Sequence, residues 1–88
     1  MPKRRKKKTK RYPELFGLKG AIRENGTSYV EVAQELGIGT HTLSDKINGY
    51  YCFNAEEIEQ LVNLLNIEAS NVLKIFFPNM LKISAKSQ

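Results

Sequence analysis

The side chains that could do chemistry are unevenly placed along this chain. Lys3, Arg4, Arg5, Lys6, Lys7, Lys8, Lys10 and Arg11 put eight cations and no anion into the first eleven residues. Like charges this dense repel one another, and such a run binds polyanions by releasing their counterions. Beyond it stand one histidine, His41, and one cysteine, Cys52. These two fall in different elements of the pattern below, without a carboxylate pair or a phosphate-cradling glycine loop, so no catalytic constellation is present and the chain is not expected to be an enzyme. One cysteine forms no intrachain disulfide, and neither cysteine pairs nor histidine clusters offer a zinc site. No metal, cofactor or small-molecule ligand is expected, and a reducing cytoplasm is the expected setting.

The net charge of +5 conceals a division. Residues 12–88 hold six basic against nine acidic side chains, a net of −3, so all the excess positive charge belongs to the first eleven residues. That arm has no apolar side chain after Met1 and is expected to be disordered in isolation. A nuclear-targeting signal would look similar. No apolar run approaches the roughly 18 residues of a membrane span, no apolar segment follows the charged start as in a signal peptide, and no basic amphipathic helix with large apolar residues suggests a membrane surface.

Residues 12–78 read as one all-helical domain of five helices, preceded by the arm (1–11) and followed by a polar tail (79–88). Tyr12-Pro13 marks the boundary, with Pro13 suited to a first helical turn and Leu15, Leu18 and Ile22 sharing a face. Gly17 and Gly20 either fray that helix or permit close packing. Asn25-Gly26 ends it. Ser28 and Glu31 have the spacing of a capping box for a second helix reaching Leu36, with Val32, Ala33 and Leu36 inward. Gly37-Ile38-Gly39 is long enough only for a tight turn. Thr40 to Asn48 forms a third helix with Leu43 and Ile47 at i, i+4, stopped by Gly49. Asn54 and Glu57 announce a fourth helix, with Phe53 placed to staple against Ile58 and a stripe of Ile58, Leu61, Val62 and Leu65. A fifth covers about Glu68 to Phe77, with Val72, Ile75 and Phe76 inward and Pro78 as its stop. Tyr50, Tyr51 and Phe53 read as core and staple aromatics.

Residues 29–49 are the most specific stretch. Two short helices across a glycine-containing turn have the spacing of a helix-turn-helix, whose second helix can enter a major groove about 12 Å wide. The segment Val32-Ala33-Gln34-Glu35-Leu36-Gly37-Ile38-Gly39, followed by Thr42-Leu43-Ser44-Asp45-Lys46-Ile47-Asn48-Gly49, resembles the phage repressor and Cro-like helix-turn-helix family, often called XRE. The resemblance runs over roughly residues 14–77, through the Ile75-Phe76-Phe77 close of the fifth helix, and is greatest to small regulators from phages and prophages of Gram-positive bacteria. It implies a five-helix, lambda-repressor-like fold and a transcriptional regulator. It also implies a homodimer on a near-palindromic double-stranded DNA operator, with third helices in successive major grooves roughly 34 Å apart.

The resemblance also implies residue roles. Base-reading positions fall on Thr40, His41, Ser44 and Asp45, flanked by Gly39, Thr42 and Asn48. Hydroxyls bond to base edges or phosphates, and His41 can donate or accept at a purine. Asp45 can accept from a cytosine amino group if it points to the groove, and is otherwise a surface charge paired with Lys46 or with solvent. Phosphate contacts fall on Ser28, Tyr29, Thr42, Lys46, Asn48 and the loop from Gly49 to Asn54, with Glu56, Glu57 and Glu59 opposing them unless they face away.

Two departures stand out. Where many relatives pair an arginine with a glutamate, this chain has Ile22 and Ile47, a paired swap compatible with the same fold. Lys46 stands where an apolar residue is usual, so its stem is expected to pack while its ammonium reaches a phosphate. The basic arm would add attraction independent of sequence, wrapping the duplex or entering a minor groove. A second reading uses the same fold as an antitoxin or anti-repressor acting through protein contacts. Phe76, Phe77, Met80 and Leu81 would be its apolar surface, or alternatively the dimer interface.

Overall fold

The structure, a computed structural model, describes residues 9–79. Five helices form in the order α1 (Phe16–Glu24), α2 (Tyr29–Leu36), α3 (Thr40–Asn48), α4 (Ala55–Leu65) and α5 (Ala69–Phe76). There is no strand among the described residues, and none of their helices is long and apolar enough to cross a membrane. Helix α1 packs on α3 and α5, and α2 packs on α3 and α4. Between them lies one core, in which Leu18, Val32, Leu43, Ile47 and Leu61 are fully buried. Ile22 and Ile47, the apolar pair of the sequence, both belong to it.

The helix ends follow local chemistry. Asn54 Oδ1 accepts the Glu57 N–H at 2.7 Å while the Glu57 carboxylate accepts the Asn54 N–H at 3.0 Å, a complete capping box that satisfies two otherwise orphaned donors. The box expected at α2 closes only halfway. Ser28 Oγ accepts the Glu31 N–H at 3.3 Å, but the Glu31 carboxylate takes the Thr27 hydroxyl at 2.8 Å. Gly37 ends α2 in the left-handed region (φ 74°), and the Ile38 N–H reaches the Ala33 carbonyl at 3.0 Å, which turns the chain directly into α3.

Helix α1 starts later than the sequence suggests. Pro13 lies ahead of the helix rather than in its first turn, because the N–H groups upstream bond elsewhere. Leu15 donates to the Ile47 carbonyl (2.9 Å), and Arg11 and Tyr12 both donate to the Gly49 carbonyl (2.9 and 3.0 Å). Residues 11–15 are therefore laced to the C-terminal end of α3. Of the two glycines in α1, Gly17 permits close packing, since a methyl group there would stand 3.2 Å from Ile75 Cγ1 on α5. Gly20 faces open space and does not interrupt the helix.

Phe76 faces inward as the period of the fifth helix predicts, which corrects its inclusion in an exposed patch. It is 7 % exposed and meets Phe53 edge-on, with ring centroids 6.1 Å apart, so it belongs to the core and not to a surface for a partner. Of the other patch residues, Phe77 is exposed, while Met80 and Leu81 lie outside the described residues. Among the three aromatics ahead of α4, only Phe53 is core. Tyr51 is half exposed.

Two alanine substitutions have opposite expected signs. Gly49 combines φ 100° with a position where a Cβ would overlap the Tyr12 carbonyl, so Gly49→Ala should lower stability by about 2 kcal/mol or more and the melting temperature by roughly 8 °C or more. Gly20→Ala adds a better helix former in open space and should raise stability by up to about 1 kcal/mol. Thermal unfolding of the two variants checks both.

Candidate functional site

The site is built on α3, nine residues long, with Gly39 extended just ahead of it and Gly49 left-handed just after it. Leu43 and Ile47 are its only fully buried side chains. At 100° per residue they fix one edge as inward, which puts His41 and Asp45 on the opposite side with Thr42 and Asn48 flanking and Ser44 at the border. Thr40 falls on the same side of the wheel as Ile47 and is exposed because it begins the helix. Thr40, His41 and Thr42 are exposed, and Ser44, Asp45 and Asn48 are half-buried. Along this strip Asn48 Nδ2 donates to Ser44 Oγ at 3.3 Å. The arrangement offers hydroxyl, imidazole, carboxamide and carboxylate groups on one convex surface, a set suited to directional hydrogen bonding rather than to bond making. Among the described residues no three His, Cys, Asp or Glu side chains gather as a metal site requires.

The remaining sequence-assigned residues divide into those that can reach outward and those that are engaged within the chain. Ser28, at the N-cap of α2, is exposed with its oxygen on the Glu31 N–H. Tyr29 is half-buried against the core. Lys46 is turned inward. Its Nζ lies 2.7 Å from each Glu57 carboxylate oxygen and 5.7 Å from the centroid of the Phe53 ring, with the two charged side chains only 15 % and 11 % exposed. The stem packs as expected, but the ammonium goes to a carboxylate. Glu57 is thereby paired with α3 and buried, whereas Glu56 and Glu59 are exposed.

The sequence reads Glu57 as a cap and as a charge opposing phosphates, and does not pair it with Lys46. The available signal was Lys46 itself. A cation at an apolar position needs a nearby anion, and the fourth helix supplies one in its first turn.

The arm meets the body beside this site. Lys3, Arg4, Arg5, Lys6, Lys7 and Lys8 lie outside the described residues; Lys10 and Arg11 are exposed. Lys10 Nζ lies 3.3 Å from Glu14 and 5.8 Å from the centroid of the Tyr50 ring. Glu14 also binds Lys19 at 2.6 Å, and the hydrogen bonds from Lys19 and then Lys10 hold its carboxyl below the usual carboxylate range. Beneath the arm root is an apolar groove of about 470 Å³, walled by Tyr12, Pro13, Tyr51, Phe53 and Phe77, with Cys52 at its edge.

Compared with known proteins, residues 13–79 match a family described as a protein of unknown function (DUF739). No curated protein matches the chain.

The Lys46–Glu57 pair makes a measurable claim. Lys46→Met leaves a mostly buried carboxylate without its counter-charge and should destabilise by about 2–3 kcal/mol. Glu57→Gln keeps an acceptor for the Asn54 N–H and should cost less. In urea unfolding the double variant should fall short of the sum of the two by at least about 1 kcal/mol. Strict additivity would mean that the two side chains act independently.

Proposed function

The chain belongs to this family, and since the family's description assigns no activity, we propose from the surface of α3 that it is a sequence-specific double-stranded DNA-binding protein. In this reading it is a transcriptional regulator of the repressor or Cro type, with a lambda-repressor-like fold, in which α2 and α3 form the helix-turn-helix and α3 enters the major groove. The observation that carries the proposal is the strip His41, Thr42, Ser44, Asp45 and Asn48, turned from the buried Leu43 and Ile47, with Thr40 exposed in the first turn of the same helix. A helix of nine residues is about 13.5 Å long, enough to span roughly four base pairs, and its diameter of about 10–12 Å suits the groove. The resemblance of residues 32–49 to the repressor and Cro-like family supports the same reading.

Each side chain then has a role set by its chemistry. Thr40 and Ser44 donate or accept at base edges, His41 bonds at a purine edge, and Asp45 selects a donor such as the cytosine amino group. Ser28 and Tyr29 border the strip and, with Thr42 and Asn48 at its margins, face phosphates. Lys46 is left out of the phosphate set, because its ammonium is held by Glu57. The protein acts as a homodimer, each copy placing one α3 in a half-site.

Selection of bound sites from random duplexes tests this directly, with an enriched inverted repeat as the expected result. Replacing Thr40 and His41 together by alanine should reduce the preference for that site over random DNA about 10- to 100-fold, the scale of one base pairing or more, while leaving binding to random DNA nearly unchanged. Equal losses on both DNAs would remove the two residues from the readout. Failure to enrich any sequence would shift the weight to the reading in which the domain acts through a protein partner.

A further inference from the structure

The cationic arm leaves the domain at a defined place. The Arg11 and Tyr12 N–H groups both donate to the carbonyl of Gly49, the residue that caps α3, and there is no room at Gly49 for a Cβ against the Tyr12 carbonyl. Lys10 sits over the ring of Tyr50, the next residue along. The run of positive charge that continues in sequence back to Lys3 thus begins at the C-terminal end of α3.

That end of the helix has the wrong sign for DNA. The aligned peptide dipoles leave about half a negative charge at a helix C-terminus, favouring cations there and opposing phosphates. Asp45 lies one turn from the end, and residues 12–88 carry a net −3. A helix laid along a groove brings its ends toward the phosphate strands that border it. The N-terminal end suits those phosphates, whereas the C-terminal end needs added cations.

We propose that the arm root is a phosphate clamp for the C-terminal end of α3, with Lys10 and Arg11 engaging the backbone phosphates that border the groove beside Asn48 and Gly49. The proposal rests on the DNA reading above and adds to it where the arm binds. Lys10 can be released for this role. Its pair with Glu14 is exposed and therefore weak, and Glu14 keeps the shorter contact to Lys19 when Lys10 moves to a phosphate. Arg11 is exposed and anchored through its backbone, so its side chain is presented without disturbing the bond to Gly49.

The test compares full-length protein on its selected duplex with two double variants, Lys10→Ala with Arg11→Ala and, as a charge-matched control, Arg23→Ala with Lys74→Ala. Arg23 and Lys74 are exposed on α1 and α5. The slope of log affinity against log salt should fall by about two for the arm-root variant, near 0.9 for each phosphate no longer neutralised, and stay unchanged for the control. Hydroxyl-radical protection should disappear from one patch of phosphates per half-site while the preferred sequence is retained. An unchanged slope in the arm-root variant, or an equal fall in both variants, would overturn the clamp while leaving the DNA reading standing. If no duplex is selected at all, the DNA reading fails and the clamp fails with it.

Discussion

Helix α3 gives the core only two side chains, and the arrangement of the site depends on that economy. Leu43 and Ile47, one turn apart, are wholly excluded from solvent. Burying each stabilises by about 1.5–3 kcal/mol, a large share of the roughly 5–15 kcal/mol by which small domains are stable. Because this inner edge suffices, the remaining positions of the helix need not be apolar. The backbone reinforces the same edge, since the Ile47 carbonyl accepts the Leu15 N–H and the Gly49 carbonyl accepts two more from the arm root. The helix is thus held from behind and from its end, and the composition of its outer strip is free to serve recognition.

The polar tie between α3 and its neighbours lies on α4. Glu57 Oε1 accepts both the Asn54 N–H and the Lys46 ammonium, so the start of α4 and the flank of α3 form one hydrogen-bonded unit. Helix α3 also packs on α1, and Ile22 and Ile47, one from each, are both part of the apolar core. Ion pairs and apolar pairs of similar volume are often close in net stability, but only the ion pair imposes direction. Placing the directional contact at Lys46 fixes how α3 sits against the fourth helix, and it withdraws a cation of α3 that would attract any phosphate together with an anion of α4 that would repel it.

Much of the architecture was legible because short helices announce their ends. The Thr40 to Asn48 helix is found with the expected bounds, bracketed by glycines with distinct duties, and the Asn54–Glu57 box is found complete. What the sequence concealed was long-range. Nothing local to Pro13 says that the N–H groups around it bond to carbonyls more than thirty residues away, so the start of α1 read too early. Phe76 reads as inward from the period of its helix and is buried, so it leaves the apolar patch that includes Phe77, and its edge-on contact with Phe53 was not legible locally. Lys46 was placed correctly as a packed stem and incorrectly as a free charge, since pairing with Glu57 depends on the angle between two helices. The outward strip from His41 to Asn48 follows from the period of α3, whereas the exposure of Thr40 in its first turn and the anchoring of the arm at Gly49 required the fold.

On the DNA reading, the charge distribution separates attraction from selection. The strip Thr40, His41, Thr42, Ser44, Asp45 and Asn48 contains neither lysine nor arginine, and Asp45 opposes close approach to phosphate unless a donor meets it. Discrimination on such a surface comes from matching donors to acceptors, with little sequence-independent attraction of its own. A body of net −3 adds none. The cations instead sit on a chain that leaves the body at the end of the reading helix, where their pull is nearly the same on every sequence and is reduced by salt. Raising salt would then weaken binding to matched and mismatched sites alike, leaving the ratio between them to α3. A reading helix bearing its own lysines would instead couple the two, because each cation that improved affinity would also hold the helix on the wrong bases.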